Sequence, residues 1–280
     1  MIDEMNKAEI VAISKLCELF EVPISSHYYK PVINSLDEEI IKIMQQIHQG
    51  NFQSYGRRRM VVALEKQGVS IGITKTAKLM KSANIVAKYP KKPHYYQGGK
   101  EKPSVPNLLK RQFDQPQADT HWVGDITYIR SHQGWSYLAT VLDLGTREIV
   151  GYALSKTPDA ALAKQALMNA IALKQPNTKA LLFHSDQGVQ YDASAFKQTL
   201  ALNDITQSMS RRGNCWDNAV QERFFRNLKS EYLNGLSFIN HRAVVTTVEH
   251  YIQYYNNKRI NSAIGYIAPA QKRQELLKVA

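Results

Sequence analysis

Three runs of β-forming residues follow one another in the middle of this 280-residue chain with almost nothing between them. They are WVGDITYIR from Trp122, WSYLATVLDL from Trp135 and TREIVGYALS from Thr146. Ile, Val, Tyr and Thr dominate all three, and only Ser131, His132, Gln133 and Gly134 separate the first from the second. Strands joined by connections this short pair as an antiparallel meander, because a parallel crossover needs a dozen or more residues. A helix is expected next, with Thr157 as N-cap, Pro158 at the first helical position, a stripe of Ala163, Leu167 and Ile171, and an end at Lys174 before Pro176. Residues 179–184 read as a short apolar strand. Asp192 is expected to cap a helix bearing Phe196 and Leu200, ITQSMS from Ile205 reads as a fifth strand, and a long helix starts at about Cys215.

The resulting order, βββαβαβα, is that of a ribonuclease H-like fold: an α/β core with a mixed five-stranded sheet and helices. Its expected span is residues 119–238, with a C-terminal helical extension over 239–280 carrying an apolar stripe of Val244, Val248, Ile252 and Tyr255. Upstream, residues 1–87 read as helical. Ile10, Val11, Leu16 and Phe20 recur at helical spacing, a short helix follows within residues 22–29, and Ile40, Ile43, Met44 and Ile47 mark another that stops at Gly50. GRRRMVVALEKQG then predicts a helix closed by Gly68, and a basic helix with Lys75, Lys78 and Lys81 follows the next turn. Helix, tight turn, basic helix outlines a helix-turn-helix whose second helix enters a major groove; a small bundle with solvated lysines has the same pattern. Residues 88–118 read as a basic linker, either tracking DNA or merely solvated: between Lys88 and Arg111 seven cations, Lys88, Lys91, Lys92, Lys100, Lys102, Lys110 and Arg111, lie among four prolines.

Charge and composition narrow the function classes. Lys and Arg number 36 against 24 acids, a net charge of +12 that suits a polyanionic partner. No apolar run reaches the ~18 residues of a membrane span and the N-terminus lacks a secretory leader, so a cytoplasmic protein with no membrane partner is expected. Cys17 and Cys215 are the only cysteines and form no metal cluster with each other.

Three carboxylates carry the chemistry. Asp125 lies in the first strand on one face with Val123, Thr127 and Ile129, where burying an acid is costly unless its charge is compensated. Asp186, in HSDQG, follows the fourth strand; it reads either as a ligand or as a turn residue. Glu222 lies on the final helix with 35 residues between it and Asp186. At ~100° per residue it shares a face with Asn218, Arg226 and Lys229, opposite Val220, Phe224 and Leu228. Acids from three separate elements are what a chain needs to hold hard divalent cations through oxygen. Asp217, three residues after an N-cap at Asn214, reads as a capping acid and stays outside the metal set. Arg226, Lys229, Lys258 and Arg259 are the candidate phosphate contacts near the core.

From Asn107 to Pro269 the chain resembles the integrase-core DDE transposases of bacterial insertion sequences, in particular the second-reading-frame product of the group that makes a fusion transposase by frameshifting. WVGDITYI, GWSYLATVLDL, REIVGYALS, HSDQGVQY, SMSRRGNCWDNAVQERFFRNLKSE and YIQYYNNKRINSAIGYIAPA carry the likeness. The resemblance implies Asp125, Asp186 and Glu222 as a catalytic triad binding two Mg²⁺ ions, with Mn²⁺ as substitute, and Lys229 as the basic catalytic residue seven positions after the glutamate. It also implies DNA strand cleavage and strand transfer at element ends, performed by a homo-multimer on element-end and target DNA. Val189 departs from the small polar residue often found there. The resemblance implies an additional helix-turn-helix and a leucine zipper gained from the upstream frame; this chain, beginning at Met1, shows neither an a/d heptad run nor that module, so the expectation is the downstream product alone, with an upstream-frame protein as candidate fusion or partner. A non-catalytic DNA-binding regulator of transposition, working with that partner, is the alternative. A retroviral-type integrase would need a paired His and Cys zinc site before residue 119, where only Cys17 accompanies His27, His48 and His94.

Overall fold

In the computed structural model, which describes residues 12–28, 35–90, 105–210 and 215–279, the three β-rich runs form strands β1 (His121–Ser131), β2 (Gly134–Asp143) and β3 (Ile149–Ser155). β1 and β2 pair antiparallel without interruption from Trp122↔Asp143 to Ser131↔Gly134, and β3 adds to β2 with one irregularity at Val141/Leu142. Two further strands, β4 (Leu182–Ser185) and β5 (Thr206–Met209), join in parallel on the other side of β1. The sheet order is β3-β2-β1-β4-β5. Helices Ala160–Lys174 and Ser194–Leu202 provide the crossovers that parallel pairing requires. This is the ribonuclease H-like arrangement expected from the order of elements.

Alternation along the strands supplies two apolar faces. On one, Trp122, Ala139 and Val141 pack with Leu162, Ala166, Leu167 and Ala170 of helix Ala160–Lys174. A Cβ on Gly151 would stand 2.5 Å from the Ala166 carbonyl oxygen, so glycine permits the helix to lie this close to β3. On the other face, Val123, Leu138 and Leu142 share a cluster with Phe224, Phe225 and Leu228 and with Val244, Val248 and Ile252 of helix His241–Asn257. Each such side chain stabilises the fold by roughly 1.5–3 kcal/mol when fully buried. The stripe anticipated at the C-terminus therefore faces the same core as the sheet.

Contacts divide the chain into two units, Met1–Ile43 and Met44–Ala280. The first contains helices Ile13–Leu19 and Ile24–Tyr28 and the start of helix Ser35–Gly50, with Leu16, Cys17 and Ile40 buried. The second holds everything described above, preceded by helix Arg57–Glu65, a turn with Gly68 at φ +79° and helix Ile73–Ser82. Those two helices pack on each other with Met60, Leu64, Leu79 and Met80 buried. The expectations placed on Ile10, Val11, Tyr29, Asn214 and residues 91–104 of the linker lie outside the described residues. No helix among the described residues is long and apolar enough to cross a membrane.

Three local readings need correction. Asp159, not Thr157, caps helix Ala160–Lys174: its carboxylate accepts the Leu162 N–H at 2.9 Å, and the Thr157 hydroxyl donates to Asp159 at 3.0 Å. An aspartate accepts more strongly than a hydroxyl, so it takes the orphan N–H. Asp192 ends a short helix, Val189–Asp192, and pairs with Lys197 at 2.7 Å instead of capping the next helix. The final core helix opens as a 3₁₀ turn, Cys215–Asn218, becomes α only over Ala219–Asn227, and widens into a π-helical turn over Leu228–Leu233.

Candidate active site

β1 and β4 pair only from His121↔Leu182 to Gly124↔Ser185. Asp125, still paired with Thr140 of β2, and Asp186 are the next residues of the two segments, so both carboxylates lie just past the last rung of that short parallel ladder. Gly124 makes the junction tight: a Cβ there would lie 2.4 Å from the Phe183 ring. Each acid is also held locally. Asp125 Oδ1 accepts the Ile126 N–H at 2.7 Å, and Asp186 Oδ1 accepts the Gly188 N–H at 2.9 Å.

The third acid arrives on a helix docked to the same strands. Asn218 Nδ2 donates to the Gly124 carbonyl at 3.4 Å, and Gln221 Nε2 donates to the Thr140 hydroxyl of β2. With Phe224, Phe225 and Leu228 buried in the core, Glu222 remains on a half-buried face. Gln221 escaped the reading of the sequence, which placed Asn218 on the face of Glu222 without its partner, because amides on a helix carry no signal of what they bond. Tyr191, within HSDQGVQY, was missed likewise. Its ring is buried, 5.2 Å edge-on to Phe196, and burial followed by the charges of Asp125 and Asp186 pushes its hydroxyl well above the usual range.

The three acids sense one another. Burial raises Asp125 well above the ordinary carboxylate range, and repulsion from Asp186 and then Glu222 adds to this, while the Ile126 N–H and Lys229 act the other way. Asp186 is raised by burial, opposed by the Gly188 N–H. Glu222 is raised by burial and by Asp186, with Arg226 pulling it down. Among the described residues no three acids, histidines or cysteines stand close enough to hold a metal ion as they are. In kind, however, three mutually repelling carboxylate donors fit a hard divalent cation, which would relieve that repulsion.

Lys229 is the second residue of the π-helical turn, and its charge reaches Asp125. Its half-buried ammonium sits 4.7 Å from the centre of the Tyr128 ring; burial lowers its pKa and Asp125 raises it. Arg226 is half-buried, and its Nε is a buried donor without a hydrogen-bond partner among the described residues. Asp217 is not a free capping acid. It is buried, accepts from Asn107 Nδ2 at 2.9 Å and pairs with Arg111 at 2.6 Å, tying residues 107–111 to the turn that opens the helix bearing Glu222.

The remaining phosphate candidates divide sharply. Lys75, Lys78 and Lys81 are exposed on helix Ile73–Ser82, whose Thr76, Leu79 and Met80 face inward. Lys258 is exposed as well. Arg259 is turned into the protein, 1% exposed, and grips both oxygens of Glu231 at 2.7 and 2.5 Å. It therefore has no face to offer a phosphate, and its role as a DNA contact is withdrawn. Two cations in sequence, Lys258-Arg259, gave no hint that a carboxylate 28 residues upstream would claim the second.

Comparison with known proteins places this geometry in context. An integrase core domain family model matches residues 115–215, a second integrase core domain model matches 203–269, and an HTH-like domain model matches 35–93. The chain is 32% identical over 272 residues to the IS600 insertion element 31 kDa protein of Shigella sonnei, covering 95% of this chain and all of that protein. It is 34% identical over 234 residues to the transposase for insertion sequence element IS904 of Lactococcus lactis, covering 82% of this chain and 90% of that one. Among solved structures, the HTLV-2 integrase catalytic core domain in complex with magnesium aligns with a TM-score of 0.44 at 15% identity, over 56% of this chain and 97% of that one.

Proposed function

The chain belongs to the integrase-core transposases of bacterial insertion sequences, and from that premise we propose that it cuts DNA strands at the ends of such an element and joins them to a target, with Asp125, Asp186 and Glu222 as its acidic triad. The observation that carries the assignment is the end of the β1/β4 ladder: two acids emerge past its last rung, and their charges reach each other and Glu222. Lys229 acts on Asp125 and Arg226 on Glu222, each opposing the upward shift of its acid.

Asp125, Asp186 and Glu222 would hold a pair of divalent cations, Mg²⁺ or Mn²⁺, whose chemistry when bound is to activate water or a 3′-OH and to stabilise the leaving oxygen. The rest falls to the chain itself. Lys229, kept charged in part by Asp125, meets a phosphate oxygen. Helix Ile73–Ser82 presents Lys75, Lys78 and Lys81 to a major groove, and Lys258 and Arg226 add backbone contacts. The acids need form no covalent intermediate, so the strand joined is the strand freed. Two element ends and a target call for more than one copy of the chain on DNA, and an upstream-frame protein remains the candidate partner.

The test is strand cleavage and joining on terminal-repeat duplex with Asp125→Asn, Asp186→Asn and Glu222→Gln. Each substitution should lower the rate by on the order of 10³-fold, because several kcal/mol of transition-state stabilisation leave with a lost metal ligand. Full activity in all three would refute the triad. A wild-type chain that binds the duplex without cutting it under any divalent ion would point instead to a DNA-binding regulator.

A further inference from the structure

A cleft of about 460 Å³ lies between the segment that begins the helix-turn-helix and helix Ala219–Asn227. Arg57, Arg58, Arg59 and Lys88 line one side of it, and Arg223 lines the other. Arg57, Arg58, Lys88 and Arg223 are exposed. Glu231 is the single acid in the lining, and Arg259 already binds both of its oxygens from within the protein. Arg59 comes to 4.0 Å from the same carboxylate. Two guanidinium groups thus share one carboxylate at the floor of the cleft, leaving a surplus of positive charge before the four exposed cations are added.

That surplus costs the protein something. Burial, followed by repulsion from Arg259, draws the pKa of Arg59 down from its ordinary value, although Glu231 opposes the change. An anion seated above it would relieve both effects. The backbone nearby favours the same ligand. Helix Arg57–Glu65 begins at Gly56 with no side-chain cap and no acid in its first turn, leaving first-turn N–H groups without the usual acceptor. Tyr89 stands over this turn: a Cβ on Gly56 would lie 2.8 Å from its hydroxyl. The Lys88 N–H bonds the Gln53 carbonyl at 2.7 Å and keeps that wall in place.

The geometry points to this cleft as a seat for backbone phosphates of DNA, gripped between the helix-turn-helix and the helix that bears Glu222. The inference rests on the DNA-processing reading above and deepens it. Arg223 directly follows Glu222 in the chain, so a phosphate fixed here sets the spacing between the sequence recognised by helix Ile73–Ser82 and the bond brought to the acids. Guanidinium groups suit the task, because their planar donors match phosphate oxygens in pairs.

Salt-dependent binding of a fluorescein-labelled DNA duplex, measured by anisotropy in EDTA so that no chemistry intervenes, tests the assignment. The variants are Arg57→Gln with Arg58→Gln, Arg223→Gln, and Lys164→Gln as an exposed cation on helix Ala160–Lys174 away from the cleft. The cleft variants should bind more weakly and flatten the slope of log K against log salt by about 0.9 for each phosphate released. Lys164→Gln should keep the wild-type slope. Unchanged slopes in the cleft variants, or an equal change in Lys164→Gln, would overturn the cleft and leave the transposase reading standing. A wild-type chain that binds no duplex at all would overturn both. Circular dichroism of each variant separates lost contacts from lost folding, and the substituted arginines are exposed, so native spectra are expected.

Discussion

His184 stands two residues before Asp186 with its ring fully buried, Nδ1 2.8 Å from the Ser208 hydroxyl and Nε2 without a hydrogen-bond partner among the described residues. Burial holds its pKa at about 4, and Asp217 opposes that only in part. An unfolded chain takes up a proton at this ring near pH 6.5, whereas the folded chain refuses it until about pH 4. The stability that the neutral ring contributes is therefore complete above pH 6.5 and lost as pH falls through that window, on the order of 3 kcal/mol in all. Asp143 works in the opposite direction. Burial, partly offset by its bond from Thr146, raises its pKa from 3.8 to about 6, so its contribution falls as pH rises from 3.8 to 6. The two partly cancel in the wild type, and the histidine is best seen by difference. Urea unfolding of wild type and His184→Asn, which retains a group near Nδ1, should give a stability difference that shrinks steadily from pH 7 to pH 4; a constant difference would show that the ring does not titrate in the folding equilibrium. At this scale the acids were the legible part of the sequence, since an aspartate amid Val123, Thr127 and Ile129 conflicts with its surroundings unless it has a purpose. Arg259 was illegible because its partner, Glu231, is brought to it only by the fold.

Secondary-structure elements place the acids, and one glycine sets how closely. Gly124 lies under the Phe183 ring, which is itself wedged against Tyr191 and Phe196 at 6.1 and 5.4 Å. In Gly124→Ala that buried ring must move, at a cost of about 1–3 kcal/mol. The expected result is a lower denaturant midpoint together with slower strand cleavage, because Gly124 directly precedes Asp125 in β1 and Phe183 lies on the strand that delivers Asp186; unaltered stability and rate would show that the junction tolerates the extra carbon. The meander and both crossover helices could be read from periodicity and turn residues. The π-helical turn at Leu228–Leu233 could not, since it arises from tertiary packing that buries Leu228, Glu231 and Leu233 together. Lys229, at its start, stands over the Tyr128 ring. The cap at Asp159 was similarly hidden, because Thr157, Pro158 and Asp159 all satisfy local rules and only the fold selects among them.

Across the second unit, the helix-turn-helix and the catalytic core are joined by a polar cluster beneath the aromatic layer. The Tyr55 hydroxyl accepts the Ile260 N–H at 2.9 Å, Tyr254 donates to Asn51 Oδ1 at 3.2 Å, and the Tyr251 hydroxyl donates to Glu231 at 2.8 Å. Glu231 and Arg259 form its ionic centre, 3% and 1% exposed. Arg259→Met leaves a buried carboxylate without its main partner and should destabilise the unit by about 3–5 kcal/mol, whereas Glu231→Leu combined with Arg259→Met should recover most of that loss. Chemical denaturation of the two variants decides the matter; equal losses would mean that the pair is held for shape alone. Joined in this way, the helix-turn-helix and the integrase core would, in the proposed function, act at a constant separation on one DNA molecule. The proposed function requires Asp125, Asp186 and Glu222 to bind divalent ions as one unit. Manganese binding, followed by electron paramagnetic resonance on the complex with element-end duplex, measures this directly. Wild type should immobilise Mn²⁺ and each of Asp125→Asn, Asp186→Asn and Glu222→Gln should lose most of it, whereas undiminished binding in any two of the three would contradict a shared site.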